Sequence, residues 1–155
     1  MEDNTQTIAI EQRGLKFHSF EAYKIIFNRG TTAKDGKFNI TVGNNTLYPN
    51  PENTNLFHCQ FNITINSLDV SNPLDLIVEA IGVFEIIGEL DIEFSDKLKS
   101  INAPAITYPY IRAFIYNLTI SVGMNPIVIP VMDFASKTIE MLNEKKNNEA
   151  KEIKS

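Results

Sequence analysis

Between Phe57 and Asn66 apolar and polar residues alternate without a break: Phe57, Cys59, Phe61, Ile63 and Ile65 share one parity, and His58, Gln60, Asn62, Thr64 and Asn66 the other. Successive side chains of an extended chain point to opposite faces, so this pattern predicts a half-buried antiparallel strand. Lys37 to Val42 has the same period. The stretch from Gly43-Asn44-Asn45 through Pro49-Asn50-Pro51 then supplies turn residues, which predicts a hairpin with a long connection. Thr7 to Ile10 and Leu15 to His18 predict a further strand, interrupted at Arg13-Gly14, where glycine permits a bulge. Another strand is expected from Leu74 to Ile87. Leu76, Val78, Ala80, Phe84 and Ile86 fill one of its faces, while Ile77, Ile81 and Val83 share the other with Glu79 and Glu85. A second face that apolar needs either a neighbouring subunit or a docked protein to cover it.

After Asp96 the period changes. Tyr108 to Val122 reads as a helix, with Pro109 in its first turn and Gly123 as its C-terminal cap. Its apolar residues, among them Tyr110, Ile111, Phe114, Ile115, Leu118 and Ile120, wrap most of the circumference. A chain this short has limited core to cover such a helix, which favours an oligomer. Met124 to Met132 reads as an extended loop because Pro126 and Pro130 disfavour helix, yet it is unusually apolar; Ile25-Ile26-Phe27 reads as a second apolar connection. Asp133 is placed to cap a second helix carrying Ala135, Ile139 and Leu142. The expected organisation is a single domain over residues 1–142 followed by a charged, flexible tail over 143–155.

Composition narrows the function classes. The 155 residues carry a net charge of -5 and no Lys/Arg stripe, which argues against nucleic acid as a partner. Acids among Met1 to Thr5 do not fit a signal peptide, and no apolar run is long enough to span a bilayer, so a cytoplasmic protein is expected. The four Asn-x-Thr sequons at Asn39, Asn44, Asn62 and Asn117 then carry no role. The single cysteine, Cys59, sits in phase with apolar neighbours and reads as a buried small hydrophobe. His18 and His58 lie on polar parities with no ligand spacing around them, and no phosphate loop or nucleophile elbow occurs, so no metal, cofactor or catalytic residue is expected.

The order of these segments resembles the SecB family of bacterial export chaperones from about Ile8 to Leu142. Ser19-Phe20-Glu21-Ala22 looks like the end of that family's first strand and Val83-Phe84-Glu85-Ile86-Ile87-Gly88 like the end of its fourth. Tyr108-Pro109-Tyr110-Ile111-Arg112 is similar to the start of its long helix. Gly123 with Pro126, then Pro130-Val131-Met132-Asp133-Phe134, is similar to its helix-connecting loop and following helix.

The resemblance implies an α+β subunit with a four-stranded antiparallel sheet, a long helix, an apolar connecting loop and a shorter C-terminal helix. It implies a homotetramer, built as a dimer of dimers, that holds unfolded preproteins in surface grooves without ATP. Ile127, Val128, Ile129 and Val131 would form the groove wall, Phe27, Met124 and Phe134 would be adaptable contacts, and Ile25 and Ile26 would border the groove. Tyr110, Phe114, Leu118, Ile77 and Ile81 are the candidates for subunit contacts, and Glu21 for docking the SecA motor. The family's other docking acids fall at Phe17 and Ile77, and its crossover tryptophan is missing. SecA docking is therefore in question, and a relative dedicated to one partner such as an antitoxin is the alternative. A small-ligand-binding α+β protein is the third reading.

Overall fold

A computed structural model describes residues 13–30 and 36–152. Four strands, β1 (Gly14–Arg29), β2 (Phe38–Leu47), β3 (Leu56–Ser67) and β4 (Leu74–Ile87), form one antiparallel sheet in the order β1-β4-β3-β2. Helix α1 (Ile92–Lys97) leads through a π-helical turn (Leu98–Asn102) into α2 (Ala103–Ser121), and α3 covers Phe134–Glu152. The expected fold class is the observed one.

The inward residues of β3 and β4 are the parities picked out by alternation. Phe57, Phe61, Ile63, Ile65, Leu76, Val78, Ala80 and Phe84 have no exposed surface, and Cys59 is buried beside them. The outer residues of β4, Ile77, Ile81 and Val83, are half-buried against cross-strand neighbours that include Ile26, Thr64 and Gln60.

Several expectations are corrected. The Gly43-Asn44-Asn45 stretch belongs to β2, paired with Asn62, Phe61 and Gln60, because tertiary pairing overrides the weak strand preference of Gly and Asn. The real turn lies beyond Tyr48, where the Asn50 and Asn53 side chains accept from the amides of Glu52 and Asn55 at 3.0 and 3.2 Å.

Ile25-Ile26-Phe27 is part of β1, opposite Val78, Ile77 and Leu76, and not a connection. The bulges in β1 also lie elsewhere than Arg13-Gly14: register shifts fall between Phe17 and Ser19 and between Ala22 and Lys24, so His18 and Tyr23 are the extra residues. These shifts keep Phe17, Phe20, Ala22 and Phe27 packed on the core although their spacing breaks the two-residue period. Thr7 to Ile10 lies outside the described residues.

The helical run begins well before Tyr108. Gly88, at φ +81, ends β4, and the Asp91 carboxylate caps α1 by accepting from the Phe94 amide at 2.8 Å. Pro109 is inside α2, with Pro104 in its first turn. Pro109 and Ala105 are both exposed, so the carbonyl deprived of its donor faces water. The π turn places buried Leu98 and Ala103 five residues apart on the same side, bringing α2 into phase with the sheet.

The C-terminal cap of α2 is as expected. Gly123 at φ +77 donates to Ile120, and the Met124 amide reaches Thr119. Asp133 caps α3 through the Ala135 and Ser136 amides at 3.0 and 3.2 Å. The helix continues past Leu142 to Glu152, into the segment expected to be a tail.

Helix α2 packs tightly on the sheet at Gly82, where a Cβ would lie 2.3 Å from Thr107 Oγ1 and 2.7 Å from Phe84 Cε2. Gly82→Ala should destabilise the fold by about 1–3 kcal/mol, read as a lower urea midpoint at unchanged slope. An unchanged midpoint would mean that α2 does not press on β4.

Candidate functional site

The segment from Met124 to Met132 belongs to no helix or strand, and the side chains of α2 hold its backbone. Thr119 Oγ1 accepts from the Ile127 amide at 3.0 Å, Arg112 Nε donates to the Ile129 carbonyl at 2.9 Å, and Tyr108 Oη donates to the Pro130 carbonyl at 2.7 Å. Ile127 and Ile129 therefore point into the core with Met124 and Phe134, while Val128 and Val131 are 63% and 78% exposed. The alternation resembles that of a strand, but a helix supplies the hydrogen bonds.

Between this segment and the edge strand β2 lies an apolar groove of about 240 Å³, lined by Ile40, Val42, Tyr108, Pro130 and Met132. Its floor is aromatic: Tyr108 stacks on Phe61 at 5.8 Å and meets Phe134 edge-on at 5.5 Å. Burial pushes the Tyr108 phenol above its ordinary value, against the opposing pull of Arg112, so the hydroxyl remains a donor at neutral pH.

The site residues expected from sequence separate into groups. Met124, Ile127, Ile129 and Phe134 are core residues that position the segment. Val128 and Val131 lie on its outer surface. Ile25 and Phe27 lie opposite inward-facing β4 residues and Ile26 opposite Ile77 on the other face, all in the strand at the far edge of the sheet from β2. Ile40, Val42 and Tyr108 were missed as lining. The available signal was that β2 turns a short apolar row inward at a sheet edge, beside an apolar loop.

Of the subunit-contact candidates, Tyr110 is 46% exposed and stacks on Phe20, whereas Phe114 and Leu118 pack against the chain's own core. Ile77 and Ile81 belong to the opposite side of the sheet. The uncovered face of α2 is marked by Ile106, Tyr110 and Ile120, each more than a third exposed.

Glu21 lies on the outer sheet face, within 3.3 Å of the Ser19 hydroxyl. Its acidic neighbours there are partnered: Lys24 meets Glu79 and His18 meets Glu85, both at 2.8 Å. Phe17 faces the helices, packed against Phe84 and Tyr110.

No group of three or more His, Cys, Asp or Glu side chains among the described residues could hold a metal, and no described helix is long and apolar enough to cross a membrane. Burial pushes the Cys59 thiol up to about 12, with a weaker opposing hydrogen bond from Thr107, so the thiol is protonated and shielded.

The fold and groove define a class: an α+β protein whose helix layer holds an apolar, non-repetitive strip beside an open sheet edge. Residues 2–144 match the family described as preprotein translocase subunit SecB, and the chain belongs to that family, whose members are chaperones. It is 30% identical over 122 residues to the uncharacterized protein MJ0357 of Methanocaldococcus jannaschii, covering 77% of this chain and 78% of that one. It is 25% identical over 145 residues to the protein-export protein SecB of Anaplasma phagocytophilum, covering 88% and 92%. A solved structure of the Mycobacterium tuberculosis Rv1957 SecB-like chaperone, in complex with a ChAD peptide from the HigA1 antitoxin, shares the fold at a TM-score of 0.63. It is 12% identical, over 77% of this chain and 88% of that one.

Two outcomes check the site. Thr119→Val should cost about 1–3 kcal/mol, because it leaves the buried Ile127 amide without an acceptor, and should speed exchange of that amide in hydrogen-exchange experiments. The Cys59 thiol should resist thiol reagents at pH 8 until the protein unfolds. Because its pKa is raised in the folded state, the stability it contributes is intact below the ordinary thiol value of 9.0 and declines as pH rises toward about 12. Urea midpoints across that window, compared between wild type and Cys59→Ala, isolate the effect.

Proposed function

We propose that this chain is an ATP-independent holdase that keeps unfolded polypeptides soluble by binding apolar segments of them in the groove between β2 and the connecting segment. The observation that carries this reading is the backbone pinning of Met124 to Met132, which fixes an apolar rim beside Ile40 and Val42 without using up their side chains. An extended client can lie along the rim and the adjacent sheet edge, where main-chain hydrogen bonding is indifferent to sequence and the groove accepts many apolar side chains.

Assembly as a homotetramer in the cytoplasm belongs to the same reading. The uncovered apolar face of α2 around Ile106, Tyr110 and Ile120 supports subunit contacts there. Service to a dedicated partner, rather than SecA-coupled export, is the second reading. The specific support is the outer sheet face, where Phe17 turns inward, Ile77 stands in an acid's place, and Glu79 and Glu85 are already partnered. Glu21 is then the remaining candidate for a SecA contact.

Purified protein should suppress aggregation of an unrelated unfolded client at stoichiometric ratios without nucleotide. Met132→Asp should weaken client binding roughly tenfold, since it places a charge in the apolar groove. Ile106→Asp with Ile120→Asp should lower the mass seen by light scattering. Full suppression by Met132→Asp protein would move the client site elsewhere, and an unchanged mass would clear the α2 face of any role in assembly. Capture of many preproteins together with SecA would reject the dedicated-partner reading.

A further inference from the structure

The inward row of β2 continues past the apolar groove. Ile40 and Val42 line the groove, and Asn44 and Thr46, next on the same face, line a second cleft between β2, the π turn and α3. This cleft has two lobes, of about 520 and 630 Å³, which share Thr46, Lys99, Ser100 and Thr138. The first lobe is mixed, with Asn44, Lys137 and Thr138 beside Phe134 and Met141, and the second is more apolar, with Tyr48, Ile101 and Ile139 in its wall.

Two half-buried lysines line the cleft, Lys99 in both lobes and Lys137 in the first. Lys99 Nζ lies over the Tyr48 and Phe57 rings, 5.2 and 5.7 Å from their centroids, and Lys137 Nζ donates to Asn44 Oδ1 at 3.2 Å. Among the described residues neither is paired with a carboxylate. The carboxylates lining the cleft, Glu93, Asp96 and Glu144, are solvent-exposed, and Glu93 is engaged by Lys97 at 2.8 Å. The innermost charge is therefore positive, although the chain as a whole carries -5.

We infer that this cleft is a second docking site for the same bound polypeptide, selecting segments in which an acidic residue and a further apolar residue flank the apolar block held in the groove. This rests on the groove reading above. Val42 and Thr46 are about 14 Å apart along an extended strand, so roughly four residues of extended client span the two sites. A carboxylate there meets Lys99 and Lys137 with hydroxyl and amide donors around it, and the next apolar side chain enters the Tyr48 and Ile139 lobe.

The test is fluorescence anisotropy with two labelled, unstructured peptides that share an apolar block and differ only in flanking glutamates or flanking glutamines on both sides. Wild-type protein should bind the glutamate peptide about fivefold more tightly, and the difference should shrink at high salt. Lys99→Gln with Lys137→Gln should erase the difference and leave the glutamine peptide's affinity unchanged. Lys137→Gln alone should reduce it, which keeps the test open if the double variant folds poorly.

Equal affinities for wild type, with both peptides released by Met132→Asp, would overturn this inference while leaving the groove reading intact. Failure of both peptides to bind would remove the groove reading and the second site together.

Discussion

Backbone that joins neither helix nor sheet still carries polar groups that must be satisfied wherever they are buried. In this protein the segment joining α2 and α3 meets that demand through side chains of α2, with a threonine oxygen, a guanidinium nitrogen and a phenol each taking one main-chain group. Everything around the groove depends on this arrangement. It turns Ile127 and Ile129 inward as core and leaves Val128 and Val131 at the surface. It also sets Pro130 and Met132 opposite the inward row of β2. The prolines fit because the two carbonyls held by Arg112 and Tyr108 need no donor from the segment itself.

The two sides of the sheet have separate duties. Helices and the pinned segment close one side over a continuous core of aromatic and branched residues. The other side carries isolated apolar positions interleaved with the Lys24–Glu79 ion pair and the His18–Glu85 hydrogen bond, so it presents a mixed apolar and polar surface.

Alternation made the two inner strands readable in full, since Phe57 to Ile65 and Leu74 to Ile87 bury one parity and each strand has a neighbour on both sides. The edge strands were harder. Bulges at His18 and Tyr23 break the period of β1, and Gly43-Asn44-Asn45 in β2 is turn chemistry overruled by pairing. The start of the helical run was hidden because Pro109 marks a first turn in most helices, whereas here an exposed position lets it sit in the interior. The apolar loop was evident from composition, but its inward and outward residues could be separated only once α2 supplied the hydrogen bonds. Of the groove lining, Tyr108 reads in the sequence only as a helix start, and Ile40 and Val42 only as strand positions.

The contacts that hold the connecting segment end on main-chain atoms, which every residue possesses. The outward side chains of that segment are thus relieved of any part in keeping it in place. Over evolutionary time Val128 and Val131 can drift in size and polarity while the strip stays where it is, provided the three residues on α2 persist. A lineage can in this way retune what the rim accepts without rebuilding the scaffold beneath it.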